Sequence, residues 1–199
     1  MAITNGYATL AEVKRQLDIP GSDSVDDALL ELCIESASRA IDNMTERTYF
    51  QGTATRVFVP DDSFFCPIDD LYTLTTLKTS DDADQDFDIV WTSTDYQLEP
   101  LNGSLNGTDW PYTGIRAVGD YLWPTVGSEA TVQVTGVFGW PSVPTAIQQA
   151  TILQSARYYK RSDSPMGVAG FDAMGAVRLS NVDPDIYVLL EPYKKIRMF

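Results

Sequence analysis

Four aspartates alternate along one short stretch of this 199-residue chain: Asp82, Asp84, Asp86 and Asp88. Counted from Asp84, Asp95 stands twelfth, the position at which a calcium loop closes on its bidentate ligand. The stretch departs from that loop at two places. Its sixth position is Ile89, where the loop needs glycine for a sharp turn, and its twelfth is aspartate instead of glutamate. It reads as a solvated hairpin tip. Asp61-Asp62 and Asp69-Asp70 offer paired acids of the kind used in glycoside hydrolysis. Adjacent residues of a strand point to opposite faces, however, and in a turn both are simply solvated. The chain has no histidine, which removes the commonest general base and metal ligand. Cys33 and Cys66 make no disulfide framework, and free thiols fit a reducing cytoplasm. The expectation is a protein that is not an enzyme and uses no cofactor or metal.

The aromatic residues raise a different chemistry. Trp91, Trp110, Trp123 and Trp140, with Tyr72, Tyr96, Tyr112 and Tyr121, could form platforms on which sugars stack, as in a carbohydrate-binding β module. The competing reading is that they fill the core of a small sheet, or a subunit interface, where Tyr and Trp are enriched. The second reading is favoured.

Charge divides the chain. Residues 1–50 carry nine acids and four bases, 51–140 carry fourteen and three, and 141–199 carry five and seven, for a net charge of -14. A surface this acidic repels a polyanion, so tight binding to DNA phosphates is excluded. No apolar run approaches the roughly 20 residues of a membrane-spanning helix. The N-terminal MAITNGYATLAEVKRQL lacks a basic segment followed by an apolar core, so no signal peptide is read there.

Local patterns supply the elements. Thr9 and Glu12 form a capping box for a short helix with Leu10, Val13 and Leu17 along its apolar line, ended by Pro20-Gly21. Ser24–Arg47 reads as a long amphipathic helix, capped by Ser24. Its stripe is Val25, Ala28, Leu29, Leu32, Cys33, Ala37, Ala40, Ile41 and Met44. Its other face carries Glu31, Glu35, Arg39, Asp42 and Glu46. From Gly52 to Phe138 the period becomes strand-like, with expected strands at Thr55–Val59, Thr73–Lys78, Phe87–Trp91, Tyr96–Leu101, Ile115–Val118 and Ala130–Phe138. Gly136 suggests a bulge in the last. Pro144 opens a third helix running to about Arg161, with Ala146, Ile147, Ala150, Leu153 and Ala156 on its stripe as the natural partner for the first long helix. Ser162–Ala176 reads as a glycine-rich loop, and Asp183-Pro184 starts a last short helix that Pro192 bends or ends. The class is therefore α+β: a small α-helical bundle from residues 1–51 and 141–199, with a β-rich insertion over 52–140.

Several of these stretches together resemble the head-to-tail connector, or adaptor, proteins of tailed bacteriophages and related gene-transfer particles. They are ESASRAIDNMTERTY within the long helix, VTGVFGWPSVPTAIQQATILQSARYYKR (Val134–Arg161) and VRLSNVDPDIYVLLEPYKK (Val177–Lys195). The last is most similar to the ending of adaptors from phages of actinobacteria. The resemblance implies a non-enzymatic virion protein of the neck, made in the host bacterial cytoplasm and acting without a membrane. Copies would form a ring, twelve-fold in this family, beneath the portal protein. The ring would extend the channel through which DNA slides without sequence-specific binding, and would dock the next neck protein, a stopper or tail terminator. Three segments are expected to make contacts in such an assembly. The tail Tyr193, Lys194, Lys195, Ile196, Arg197, Met198 and Phe199 is expected at the portal or ring. The loop residues Met166, Gly167, Gly170, Phe171 and Gly175 are expected to dock a partner. Glu31, Glu35, Arg39, Asp42 and Glu46 are expected at the seam between subunits.

Overall fold

A computed structural model describes residues 2–81, 85–105, 108–126, 129–162, 168–172, 175–178 and 183–195. The chain divides into two compact units: Met1–Arg47 with Val143–Phe199, and Thr48–Ser142. The α+β class expected from the sequence is observed, with helices at both ends and strands between.

The first helix, α1 (Leu10–Gln16), has the capping box: Thr9 Oγ1 accepts from the Glu12 N–H, and the Thr9 N–H donates to Glu12 Oε2 at 2.8 Å. It ends before Pro20-Gly21, because Asp18 already takes a left-handed conformation at φ 57°. Helix α2 (Asp27–Thr45) starts later than its sequence suggests. Ser24 does not cap it; the N-cap is Asp26, which makes no side-chain cap bond. Lys14 of α1, itself buried, bridges into this turn through an ion pair with Asp27 and a 2.6 Å bond to the Asp23 carbonyl.

The face that α2 buries differs from the expected stripe. Leu30, Cys33, Ile34, Ala37, Ser38, Ile41 and Thr45 are buried, whereas Val25, Leu29 and Leu32 are exposed. The helix is turned because small hydroxyl residues belong to its seam. Ser38 Oγ donates to the Ile34 carbonyl (2.8 Å) and Thr45 Oγ1 to that of Ile41 (2.9 Å), so both satisfy themselves inside the helix and can be buried as small side chains.

Unit Thr48–Ser142 is one antiparallel sheet with a small separate hairpin. Its strands are β1 (Gly52–Phe58), β2 (Phe65–Thr79), β3 (Ile89–Trp91), β4 (Tyr96–Glu99), β7 (Tyr112–Ala117) and β8 (Val132–Phe138) in the order β1-β8-β2-β7-β4, with β3 also on β2. The hairpin pairs β5 (Ser104–Leu105) with β6 (Thr108–Asp109). Strand β2 begins well before the expected Thr73, since Pro67 and the two aspartates hide its period in the sequence. Its first part pairs β7, its second part pairs β8, and its register shifts on both. The expected bulge at Gly136 lies across from it: β8 pairs β1 without interruption, while β2 carries two extra residues, Tyr72 and Thr75, the second next to the Leu74–Gly136 pair. A Cβ on Gly136 would stand 2.3 Å from the Thr73 carbonyl oxygen, so close approach of the bulged strand is what requires glycine. The core gathers Cys66, Ile68, Leu71, Leu77, Ile115, Val132, Val134 and Phe138 with Trp91 and Trp123.

Helix α3 (Thr145–Ser162) returns to the helical unit and packs on α2, the partnership expected from the sequence. Leu30 and Ile34 of α2 join Val13 of α1, with Ile152 and Tyr159 of α3 against them. Its buried face also holds Thr151 and Ser155, each bonded back to its own helix. The expected glycine-rich loop contains a hairpin of β9 (Val168–Asp172) and β10 (Gly175–Arg178). Helix α4 (Pro184–Leu190) has Asp183 as N-cap and Pro184 first, buries Ile186 and Leu190, and passes into a 3-10 turn at Glu191–Tyr193 around Pro192.

Candidate assembly interface

The polar face of α2 holds the N-terminal segment. Glu35 accepts from the Thr4 and Asn5 amides, the latter at 3.0 Å. Arg39 donates to the Asn5 carbonyl (3.0 Å) and to Asp42 Oδ2 (2.8 Å), and its guanidinium lies 5.4 Å from the centre of the Tyr7 ring. The Tyr7 hydroxyl donates to Asp42 Oδ1 at 2.5 Å, and the Tyr7 N–H to the buried Ser38 hydroxyl at 3.0 Å. Burial pushes the Asp42 carboxyl up, while Tyr7 and Arg39 pull it down without cancelling that effect. Glu35, Arg39 and Asp42 are thus engaged within the subunit. Glu31 is half-buried, and Glu46 is the exposed left-handed cap of α2 at φ 55°.

The base of the C-terminal tail is tied to the end of the same helix. Arg47 Nε donates to the Tyr193 carbonyl (2.8 Å), and the Lys195 N–H to the Thr45 carbonyl (2.9 Å). Lys194 pairs with Glu191 (2.9 Å) and lies 4.6 Å from the centre of the Tyr187 ring. Ile196, Arg197, Met198 and Phe199 lie outside the described residues, as do Met166 and Gly167. Gly170 and Phe171 belong to β9 and Gly175 to β10, where Phe171 is paired with Ala176 and Asp172 with Gly175.

The acids with possible chemistry hold structure. Asp82 and Asp84 lie outside the described residues. Asp95 ties the turn before β4, accepting from the Thr92 amide (2.7 Å), the Thr92 hydroxyl (2.8 Å) and the Thr94 hydroxyl (2.9 Å). Those bonds, the Thr92 amide first, hold its carboxyl below the usual range. Asp69 pairs with Arg56 (2.8 Å) on one side of β2, and Asp70 is buried, accepting from the Trp140 indole (2.9 Å). Asp62 accepts from the Phe64 and Phe65 amides, and these lower its carboxyl too. Among the described residues, no three acids or cysteines are grouped to hold a metal ion.

Most of the indoles are core. Trp91 stacks on Trp123 with centroids 4.2 Å apart, and Trp140 is fully buried against Tyr49 and Trp110. The sheet unit also has an open cleft of about 500 Å³, lined by Tyr72, Leu101, Asn102, Gly103, Trp110, Tyr112 and Pro141. Sequence reasoning missed Tyr7 and Ser38 as residues that tie the N-terminal segment to α2. The only available signal was that both are polar-tipped residues near an otherwise apolar helix face.

Residues 7–69, from before α1 into β2, match the family model of the phage gp6-like head-tail connector protein. No curated protein matches. Among solved structures, the chain is similar to one in the neck of an empty gene transfer agent particle computed with C6 symmetry, at a TM-score of 0.63 and 19% identity. It is similar also to one in the virion of the native gene transfer agent particle, at 0.58 and 19%. Each match covers 100% of this chain and 95% of the other. Residues 7–69 of this chain are thus similar to the head-tail connector family, and the whole chain shares its fold with a chain in the neck of a gene transfer agent particle.

Proposed function

We propose that this protein is a structural neck component of a phage-like virion, a head-to-tail adaptor. Its copies form a ring beneath the portal, the ring extends the DNA channel, and its far side docks the next neck protein. The observation that carries this reading is the conjunction of the connector match in residues 7–69 with whole-chain similarity to a protein in a neck computed with C6 symmetry. A ring of twelve is compatible with six-fold symmetry. The acidity of residues 51–140 supports the channel role, since a wall that repels phosphate lets DNA pass without sticking. The residues beyond Lys195 are assigned to the portal contact. Tyr193 and Lys195 are held to the end of α2 through their backbones, and the contact is assigned to the residues that follow them.

Imaging particles that carry the protein tests the ring: several copies around the channel are expected, and a single copy overturns the reading. Deleting residues 196–199 should leave melting unchanged and prevent attachment to the portal; normal attachment by the truncated chain removes the tail from the contact. A carbohydrate-binding module is the second reading, and the cleft holding Tyr72, Trp110, Tyr112 and Asn102 is what favours it. Glycan-array binding that Trp110→Ala abolishes would establish it.

A further inference from the structure

The aromatic cleft of the sheet unit is held in shape from behind. Trp110 packs on Trp140 with ring centres 4.8 Å apart, and the fully buried Trp140 donates its indole N–H to Asp70 at 2.9 Å. The Trp110 N–H donates to the Gly103 carbonyl at 2.8 Å. A Cβ on Gly103 would stand 3.0 Å from the Pro100 ring and 3.3 Å from the Trp110 carbonyl oxygen, so the turn is tight. Three aromatic residues, Tyr72, Trp110 and Tyr112, thus line the cleft together with the Asn102 amide. None of the described residues that line it is charged, although residues 51–140 hold fourteen acids and three bases. Two of those bases are engaged elsewhere, Arg56 with Asp69 and Arg116 with Glu99, and the third, Lys78, pairs in β2 with Val90 and Gln133.

We propose that this cleft binds neutral saccharides and rejects acidic ones. The inference rests on the carbohydrate reading above and deepens it by naming the class of sugar. It concerns the sheet unit alone and leaves the adaptor reading untouched. A sugar ring presents C–H faces that stack on aromatic rings, and hydroxyls that both donate and accept. An amide and phenol hydroxyls answer those hydroxyls in both senses. A carboxylate, sulfate or phosphate on the sugar would find no cation in the cleft and an acidic unit around it. An ammonium ligand has the opposite mismatch, because it carries no acceptor for the amide and phenol donors. The volume of about 500 Å³ gives room for a short oligosaccharide.

The test places the full chain on an array that carries neutral oligosaccharides beside sulfated, sialylated and uronic-acid-containing ones. Binding to neutral members and to no acidic member is the expected result. Trp110→Ala, and Tyr72→Ala at a ring that is 45% exposed, should each weaken it roughly tenfold through loss of one stacking contact. Asn102→Lys, at an exposed position, supplies the missing cation and should shift binding toward the acidic members, a change that loss of folding cannot mimic. Acidic glycans bound by the parent as well as neutral ones overturn the neutral class and leave the carbohydrate reading standing. Binding that survives both Trp110→Ala and Tyr72→Ala overturns the cleft as its site. An array on which nothing binds removes the carbohydrate reading, and this inference falls with it.

Discussion

Reversing Arg39 is the perturbation that separates a structural lock from an assembly contact. Arg39 is 39% exposed on its side chain, and it joins Asp42, Glu35, the Asn5 carbonyl and the Tyr7 ring. Arg39→Glu removes the pair with Asp42, which at this exposure is worth about 0.5–1 kcal/mol. It removes the bond to the Asn5 carbonyl, worth about 1 kcal/mol, and adds like-charge contacts with Glu35 and Asp42 of a few tenths each. Together the isolated protein should lose about 2–3 kcal/mol, which for a chain of this size lowers Tm by about 5–10 °C. The loss should also depend on pH. The Asp42 carboxyl lies above its usual value, so the fold favours its protonated form. Its contribution is present below the unfolded pKa and is lost as pH rises through the folded one. Arg39 offsets that loss only while Asp42 is ionised. Thermal melts of parent and Arg39→Glu should therefore diverge above the raised pKa of Asp42 and draw together in acid. A Tm change within about 1 °C at neutral pH would refute the lock. Impaired assembly by such a stable variant would instead mark Arg39 as an intersubunit residue.

The β unit and the thiols give further tests. Asp70→Ala leaves the buried Trp140 indole without its acceptor and should cost about 2–3 kcal/mol in urea unfolding, whereas Asp70→Asn should keep most of the stability. Gly136→Ala drives a methyl toward the Thr73 carbonyl and should cost about 1–3 kcal/mol, read as an earlier urea midpoint with an unchanged slope. Burial pushes the Cys66 thiol up to about 12 and raises that of Cys33, so thiol titration at pH 8 should find neither reactive until denaturant is added. Fast labelling of the native protein would contradict the packing of both.

Signals carried by neighbouring residues were legible in the sequence, and contacts between distant residues were not. Thr9 with Glu12, and Asp183 with Pro184, are local signals, and each marks a real helix start. The strands β3, β4 and β8 also followed from period and turn chemistry, whereas the first half of β2 was hidden by Pro67, Asp69 and Asp70. The acidic face of α2 was legible as a candidate contact surface. That Glu35, Arg39 and Asp42 are occupied by Thr4, Asn5 and Tyr7 was not, because those partners lie about thirty residues away along the chain.

By itself the sequence determined the class, the helical ends around a strand-rich middle, and the uneven acidity, because caps, periodicity and charge are local or additive properties. Only the tertiary structure decided which side of α2 faces inward. Periodicity placed Val25, Leu29 and Leu32 on the core stripe, but the buried face is the one with Ser38 and Thr45, whose hydroxyls bond to their own helix and whose small size lets another helix come close. Apolarity along one chain says that a surface can be covered. Which partner covers it depends on shapes and charges that meet only after folding.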